Sequence, residues 1–270
     1  MGTGSLFGRI QFSLRELANK GYTFAQPEEA IFKGQYPRIY DRDIPPTDFY
    51  PSYTQTYLER DVRLIKNIAD INAFIQFTQL CAGRVGQLLN YVSLASDAGI
   101  SPNTAKAWLS ILETSYVLYR LQPYHQNFTK RLVKASKLYF DDTGLVCSLL
   151  GIRRMEQVTT HFMKGALFEN LILNEFIKTT LHRGERTYPY FWQDSRGKEI
   201  DGLLTIGDGV IPVEIKAGEA MSGSYFNHLK QWQNLTGPPE KGYVVYGGDI
   251  SLQTGDGFLV SWKQLEQIPY

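Results

Sequence analysis

One segment, residues 199–216, constrains the fold of this chain more than any other. Two β-prone runs, Glu199 to Ile206 and Val210 to Ala217, flank a stretch of glycine and aspartate, the residue types that tight hairpin turns favour. The segment therefore predicts a β-hairpin. Three of its charged residues fall on the predicted strands rather than in the turn, so their placement needs a chemical explanation.

Strand geometry predicts where these charged groups point. Side chains alternate between the two faces of a strand. Glu214 and Lys216 therefore point to the same side, whereas Glu199, Asp201 and Leu203 share one face of the preceding strand.

The hairpin turn decides whether the two faces coincide. A two-residue turn at 208–209 would place Asp201 opposite Lys216, and a turn at 207–208 would place it opposite Glu214. Both registers bring the three groups to one face of the sheet. A three-residue turn would disturb this parity.

Two carboxylates and an ammonium group on one face are a chemically specific combination. A hard divalent ion such as Mg²⁺ or Mn²⁺ binds carboxylate oxygens and polarises a phosphodiester, which makes Asp201 and Glu214 predicted metal ligands. Lys216 would orient the attacking water or stabilise charge on the phosphate. The alternative is a surface ladder of ion pairs across a hairpin.

Glu169 is a further candidate. The sequence predicts a helix over 164–181, in which Glu169 shares an apolar stripe with Ile172, Leu173 and Phe176. A carboxylate on such a stripe needs a partner, so Glu169 is either a further metal ligand or an acid behind the site. The alternative is a glutamate at the helix boundary that reaches solvent or pairs with an arginine.

The region before this hairpin is predicted to be mainly helical. Short helices over 71–83, 84–91 and 93–98 precede a longer one that starts with Ser101 as N-cap and Pro102 at its first position. A short helix, a tight turn and a longer helix form the helix-turn-helix pattern. Two β-prone runs at 117–124 and 137–140 follow, which together predict a winged-helix domain.

This predicted winged helix carries candidate contacts to nucleic acid. Three polar residues lie off the apolar face of the longer helix, and a basic stretch separates the two β-prone runs. The alternative is a helix that packs on a neighbouring domain, with the basic residues as a solvated face. The predicted nucleic-acid-binding residues are Asn103, Lys106, Ser110, Lys130, Arg131 and Lys134.

The order of the elements predicts an α/β chain with two folded regions. Residues 51–155 would form the helical winged-helix domain and residues 160–270 an α/β sandwich like that of restriction endonucleases. Residues 1–50 would be a linker, with a loop over 34–51 because of its prolines.

Bulk composition excludes several classes of protein. A net charge of +1 provides no global field for nucleic acid, so any such binding needs a local basic patch. Two cysteines are too few for a disulfide framework or a zinc cluster. Because the sequence shows no signal peptide and no membrane span, a cytoplasmic location without a membrane partner is expected.

Several motifs resemble those of a known family. The Glu169, Asp201 and Glu214-Ile-Lys216 pattern looks like the PD-(D/E)XK nuclease signature. Other stretches are similar to the region that follows the ATPase domain in prokaryotic AAA-type ATPases with a nuclease-like C-terminal domain. These stretches are Gly34 to Arg38, Tyr57 to Asp61, Lys130 to Lys134, Lys137 to Leu145 and Gly165 to Asn170.

The resemblance implies a missing ATPase domain. Such proteins begin with a P-loop, Gly-x-x-x-x-Gly-Lys-Ser/Thr, which this sequence lacks. Residues 5–20 look like the trailing end of an ATPase domain, so a truncated product, a split gene or a fragment is expected, without an ATP site or ATPase activity. An ATPase-domain partner or an oligomer would complete it.

Three functions follow from these patterns. The first is a metal-dependent nuclease to which the winged helix delivers DNA. The second is a non-catalytic module that binds DNA or protein. The third is a portion that serves the assembly of an AAA-type ATPase.

Overall fold

The computed structural model describes residues 11–56, 68, 70–124, 134–185, 187–207, 209–236 and 242–270. The chain divides into two compact units. The first consists of Met1–Arg120 and Lys137–Met163, and the second consists of Leu121–Ser136 and Lys164–Tyr270. Both contain helices and strands, which confirms the predicted α/β class. No helix in the described ranges combines the length and apolar character needed to cross a membrane.

The first unit is mainly helical. It also contains strand β2 (Lys137–Phe140) and the beginning of strand β1 (Leu118–Pro123). Its described helices are Leu14–Asn19, Pro27–Lys33, Pro37–Asp41, Pro46–Thr56, Ile71–Ala82, Tyr91–Asp97, Pro102–Thr114, Thr143–Leu149 and Met155–Thr160.

Two helices, Tyr91–Asp97 and Pro102–Thr114, lie within two residues of their predicted positions. The side chain of Ser101 accepts a hydrogen bond from the backbone N–H of Thr104 at 3.1 Å and so caps the helix Pro102–Thr114. This helix buries Ala105, Leu109 and Leu112. Its Trp108 packs edge-on against Phe74 and Phe77 of the helix Ile71–Ala82.

Two local predictions in this unit were wrong. The expected loop over 34–51 contains the helices Pro37–Asp41 and Pro46–Thr56. Both begin with proline, which is favourable at the first helical position because its missing N–H would have no helical partner there. The expected helix over 84–91 is instead a turn in which the N–H of Gly86 donates to the carbonyl of Leu138 at 2.8 Å.

A buried aspartate joins distant parts of the first unit. Asp142 is 1% exposed and caps the helix Thr143–Leu149 by accepting from the N–H of Leu145 at 2.9 Å. It also accepts from the N–H of Gln35 at 2.7 Å and from the hydroxyl of Tyr50 at 2.6 Å. These bonds cross about a hundred residues of sequence, so residues 34–50 pack as part of this unit.

Strands dominate the middle of the second unit. They are β3 (Tyr190–Gln193), β4 (Glu199–Ile206), β5 (Gly209–Lys216), β6 (Tyr243–Tyr246), β7 (Leu252–Gln253) and β8 (Phe258–Ser261). Their spatial order is β3-β4-β5-β6-β8-β7, and the end of β1 pairs with β3 in parallel. Antiparallel pairs join β3, β4 and β5, whereas β5, β6 and β8 are parallel, so the sheet is mixed.

Two helices of the second unit pack on this sheet. The long helix, Lys164–His182, contacts β5, and the late helix, Asn227–Thr236, contacts β4 and β5. Leu229 and Trp232 of the late helix are buried in an apolar cluster with residues of β3, β4, β6 and β8. The sequence predicted both helices to within two residues because their apolar positions recur at helical spacing.

Gly34 provides a test of the Asp142 network. Its φ is +66°, and a Cβ at this position would overlap the hydroxyl of Tyr50 and the carboxylate of Asp142. Gly34→Ala should therefore destabilise the protein by about 3 kcal/mol or more, since backbone strain and overpacking each cost about 1–3 kcal/mol. Denaturant unfolding measures this loss.

The matched control is Gly99→Ala. Gly99 has nearly the same φ, +65°, but a Cβ there would meet nothing within 4 Å. This variant reports backbone strain alone, about 1 kcal/mol. Equal losses in the two variants would show that the network does not need the space above Gly34.

Candidate functional site

The predicted hairpin is present and its register is defined. Ile206 pairs with Gly209, which leaves residues 207–208 as the connection, and Gly202 pairs with Val213. Continuing this pairing by one residue places Asp201 opposite Glu214. The second of the two predicted registers is therefore confirmed; Asp208 itself lies outside the described residues.

Strand β4 contains a β-bulge at the site. Tyr190 pairs with Leu203 but Trp192 pairs with Ile200, so two residues of β4 face one of β3 between these pairs. Asp201 is one of those two residues. Strict alternation would place Ile200 and Leu203 on opposite faces, yet both belong to the same apolar cluster. A bulge adds one residue to a strand, so side chains on either side of it that regular alternation would separate can share a face.

Three carboxylates converge at this bulge. Oxygens of Glu169, Glu199 and Asp201 all lie within 4.8 Å of one another. Glu199 accepts a hydrogen bond from the amide of Gln193 at 2.8 Å, and Asp201 Oδ2 accepts from the backbone N–H of Ile215 at 2.8 Å. We refer to Glu169, Glu199 and Asp201 as the acidic triad.

The acidic triad fits a hard divalent ion. Its donors are all carboxylate oxygens, which Mg²⁺ prefers at about 2.1 Å, so opposite ligands of one ion lie about 4.2 Å apart. The observed limit of 4.8 Å requires only a small contraction. Like charges this close also repel, so a cation between them would relieve the repulsion.

Lys216 lies between the acidic triad and Glu214. Its ammonium is 2.6 Å from Glu214 Oε2 and 3.5 Å from Asp201 Oδ2. Burial by itself would lower the pKa of Lys216, but the charges of Asp201 and Glu214 outweigh this effect and raise the pKa. Lys216 therefore stays protonated, and its ammonium links Asp201 of β4 to Glu214 of β5.

Glu214 is the most deeply buried acid of the site. Its side chain is only 1% exposed, and its Oε1 lies 3.5 Å from Nδ1 of His228 in the late helix. Burial, reinforced by the charge of Asp201, raises the pKa of Glu214 to about 8 despite the opposing effect of Lys216. Burial therefore favours the protonated form of Glu214, while the ammonium of Lys216 favours the ionised form.

The structure brings together the four predicted catalytic residues with one difference in their arrangement. Asp201, Glu214 and Lys216 are linked directly, and Glu169 joins Asp201 in the acidic triad. The predicted metal pair was Asp201 and Glu214; Asp201 lies in the acidic triad together with Glu169 and Glu199. Glu214 instead contacts the ammonium.

Two residues of the site were not predicted as functional. Glu199 shares strand parity with Asp201, so the sequence contained a signal for it as a metal ligand. His228 had no such signal, because only the packing of the late helix on the sheet brings it to Glu214.

Three of the predicted nucleic-acid-binding residues lie in the first unit, Lys134 lies in the second unit, and two fall outside the described ranges. Asn103, Lys106 and Ser110 are exposed on the helix Pro102–Thr114, and Lys106 Nζ lies 5.4 Å from the ring centre of Tyr91. Lys134 is also exposed. Lys130 and Arg131 are among the residues that the structure does not describe.

Fold and site together define an α/β protein with a carboxylate-rich centre suited to a hard divalent ion. Residues 25–156 match the model of a domain of unknown function, DUF8612, and residues 164–265 match that of another, DUF4143. The second domain is typically found in the C-terminal regions of AAA ATPases.

Comparison with curated proteins identifies distant relatives. One uncharacterized protein of Mycobacterium bovis and one of Mycobacterium tuberculosis are each 26% identical to this chain over 164 residues. The match covers 61% of this chain and 36% of each relative, so the chain spans about a third of their length. No solved structure matches.

The raised pKa of Glu214 predicts how stability depends on pH. Between about pH 4.3, where an unfolded glutamate titrates, and the folded pKa of about 8, the folded state binds one more proton than the unfolded state. Stability should therefore fall as pH rises through this window, by at most about 1.4 kcal/mol per pH unit. In Glu214→Gln the free energy of unfolding should decline less steeply with pH. Urea unfolding in the absence of metal measures this difference.

The matched control is Glu266→Gln, which alters an exposed glutamate of the same unit. Its stability profile should run parallel to that of the wild type between pH 5 and pH 8. A Glu214→Gln profile as steep as the wild type would contradict the burial-driven shift.

Proposed function

We propose that this protein hydrolyses phosphodiester bonds of nucleic acid with a divalent metal ion. The observation that carries the proposal is the acidic triad beside Lys216, whose ammonium lies 3.5 Å from Asp201. Carboxylates that hold an ion and a cation that faces the substrate are the groups needed to cleave a phosphodiester.

The finer fold assignment is part of this proposal. We infer that the second unit is a PD-(D/E)XK nuclease-like domain. A helix carrying Glu169, a strand carrying Asp201 and a neighbouring strand carrying Glu214 and Lys216 occur in that order. The register of the hairpin brings Asp201, Glu214 and Lys216 to one site, which supports the assignment.

The acidic triad would hold Mg²⁺ or Mn²⁺. When bound, the ion would supply Lewis-acid polarisation of the phosphate and a water ligand of lowered pKa. Lys216 is placed to donate a hydrogen bond to the attacking water or to a phosphate oxygen, and its side chain is 30% exposed. Glu214 anchors this ammonium from the buried side.

The first unit is proposed to be a winged helix that binds DNA. Its support is the capped helix Pro102–Thr114 after a short helix and a turn, followed by strands β1 and β2. Asn103 and Lys106 lie on the exposed side of that helix, where base edges or phosphates can reach them.

A second candidate is a non-catalytic portion of an AAA-type ATPase that binds DNA or protein or serves assembly. The match to a domain typical of the C-terminal regions of AAA ATPases favours it. The chain also covers only 36% of the length of its relatives. An ATPase-domain partner or an oligomer belongs to this candidate.

Metal binding and DNA cleavage separate the two candidates. Wild-type protein should cut plasmid or linear DNA with Mg²⁺ or Mn²⁺, and Asp201→Asn and Lys216→Ala should each lower the rate by about 100-fold or more. Calorimetry should show that Asp201→Asn also loses Mn²⁺ binding. The control is Asp256→Asn, which alters a carboxylate that is 45% exposed and paired with Lys230. Its cleavage rate and Mn²⁺ binding should match those of the wild type.

Two other outcomes would contradict the nuclease proposal. DNA binding that weakens with salt, without cleavage at any metal concentration, would favour the non-catalytic module. A protein that binds neither DNA nor metal would favour a role in assembly.

DNA binding by the first unit has its own test. Lys106→Ala in the full chain should weaken binding and lower the slope of log affinity against log salt by about one, because one phosphate contact is lost. Lys20→Ala, on the exposed end of another helix of the same unit, should leave the slope unchanged. Identical slopes in both variants would exclude Lys106 from the interface; fluorescence anisotropy provides the measurement.

A further inference from the structure

A continuous line of contacts leads from the acidic triad to the late helix. Asp201 contacts Lys216, Lys216 contacts Glu214, and Glu214 contacts His228, with separations of 3.5, 2.6 and 3.5 Å. The exposed fractions of the last three side chains are 30%, 1% and 46%. His228 is therefore the end of this line that solvent, and a substrate, can reach.

One nitrogen of the His228 ring lies near Glu214 and the other faces away from it. Nδ1 faces the carboxyl of Glu214, so Nε2 lies on the far side of the ring. Within the described part of the chain, Nε2 has no hydrogen-bond partner. Because the side chain of His228 is 46% exposed, Nε2 is the ring nitrogen that a ligand can contact.

Lys216 is less available than His228 for this contact. Two carboxylates already surround its ammonium, and its side chain is less exposed. A phosphodiester that binds at the acidic triad has a second unesterified oxygen and neighbouring phosphates on the strand. These need donors beyond the ion, because an unpaired phosphate oxygen in a closed site is costly.

We propose that His228 is a substrate-contacting residue that donates a hydrogen bond from Nε2 to a backbone phosphate of the nucleic acid next to the bond being cut. This inference rests on the proposed function and identifies the group that binds the strand. Both the Nε2–H form of neutral imidazole and imidazolium carry the required proton.

Magnetic resonance tests the contact directly. The chain has four histidines, and the spectrum of His228→Gln assigns the imidazole signal of His228. With Ca²⁺ in place of Mg²⁺ to slow hydrolysis, a short DNA duplex should shift the Nε2 signal of His228, whereas Ca²⁺ alone should leave it nearly unchanged. A purely structural role would not produce a shift that needs DNA.

Kinetics provide a second readout. His228→Ala should raise KM for DNA by about 10-fold or more while Mn²⁺ affinity stays within about 2-fold of the wild type. His228→Gln, which keeps a hydrogen-bond donor, should recover part of the loss. Lys230→Ala is the matched control, since its side chain lies on the same helix with the same 46% exposure and pairs with Asp256.

The outcomes separate this inference from the proposed function. Cleavage by His228→Ala with an unchanged KM, or a His228 signal that ignores bound DNA, would overturn the phosphate contact and leave the nuclease proposal intact. Lost Mn²⁺ binding in His228→Ala would overturn it as well. A wild-type protein that never cuts DNA, but whose His228 signal shifts on binding it, would reject hydrolysis and support the contact.

Discussion

The buried carboxyl of Glu214 is the constraint on which the site depends. A carboxyl that is 1% exposed, next to a second acid, cannot remain ionised without help, so its environment must supply a proton or a cation. The ammonium of Lys216 lies 2.6 Å away, and burial with the charge of Asp201 raises the pKa of Glu214 to about 8 despite that ammonium. The position of Lys216 beside Glu214 meets this need.

The hairpin places the charged groups of the site next to one another. Its two-residue connection places Asp201 opposite Glu214, and strand alternation keeps Asp201 on the same face as Glu199. The bulge in β4 allows Ile200 and Leu203 to join one apolar cluster with the late helix. The hairpin therefore serves the assembly of the site, and its bulge serves the packing of the sheet.

The first unit depends on an analogous buried acid with a different solution. Asp142 is satisfied entirely by hydrogen bonds, from two backbone N–H groups and the hydroxyl of Tyr50. This network links residues that are distant in sequence, so it holds the unit together. Glu214 differs from Asp142 because its neighbours are an ammonium and a half-exposed imidazole.

The sequence by itself determined the hairpin, the capped helix after Ser101, the long and late helices, and the shared face of Asp201, Glu214 and Lys216. All of these follow from local rules of periodicity, capping and strand parity. Only the tertiary structure decided that Glu199 completes the acidic triad and that His228 reaches Glu214. Those contacts join the strands to helices that are distant in sequence, and no local pattern specifies how a helix is rotated on a sheet.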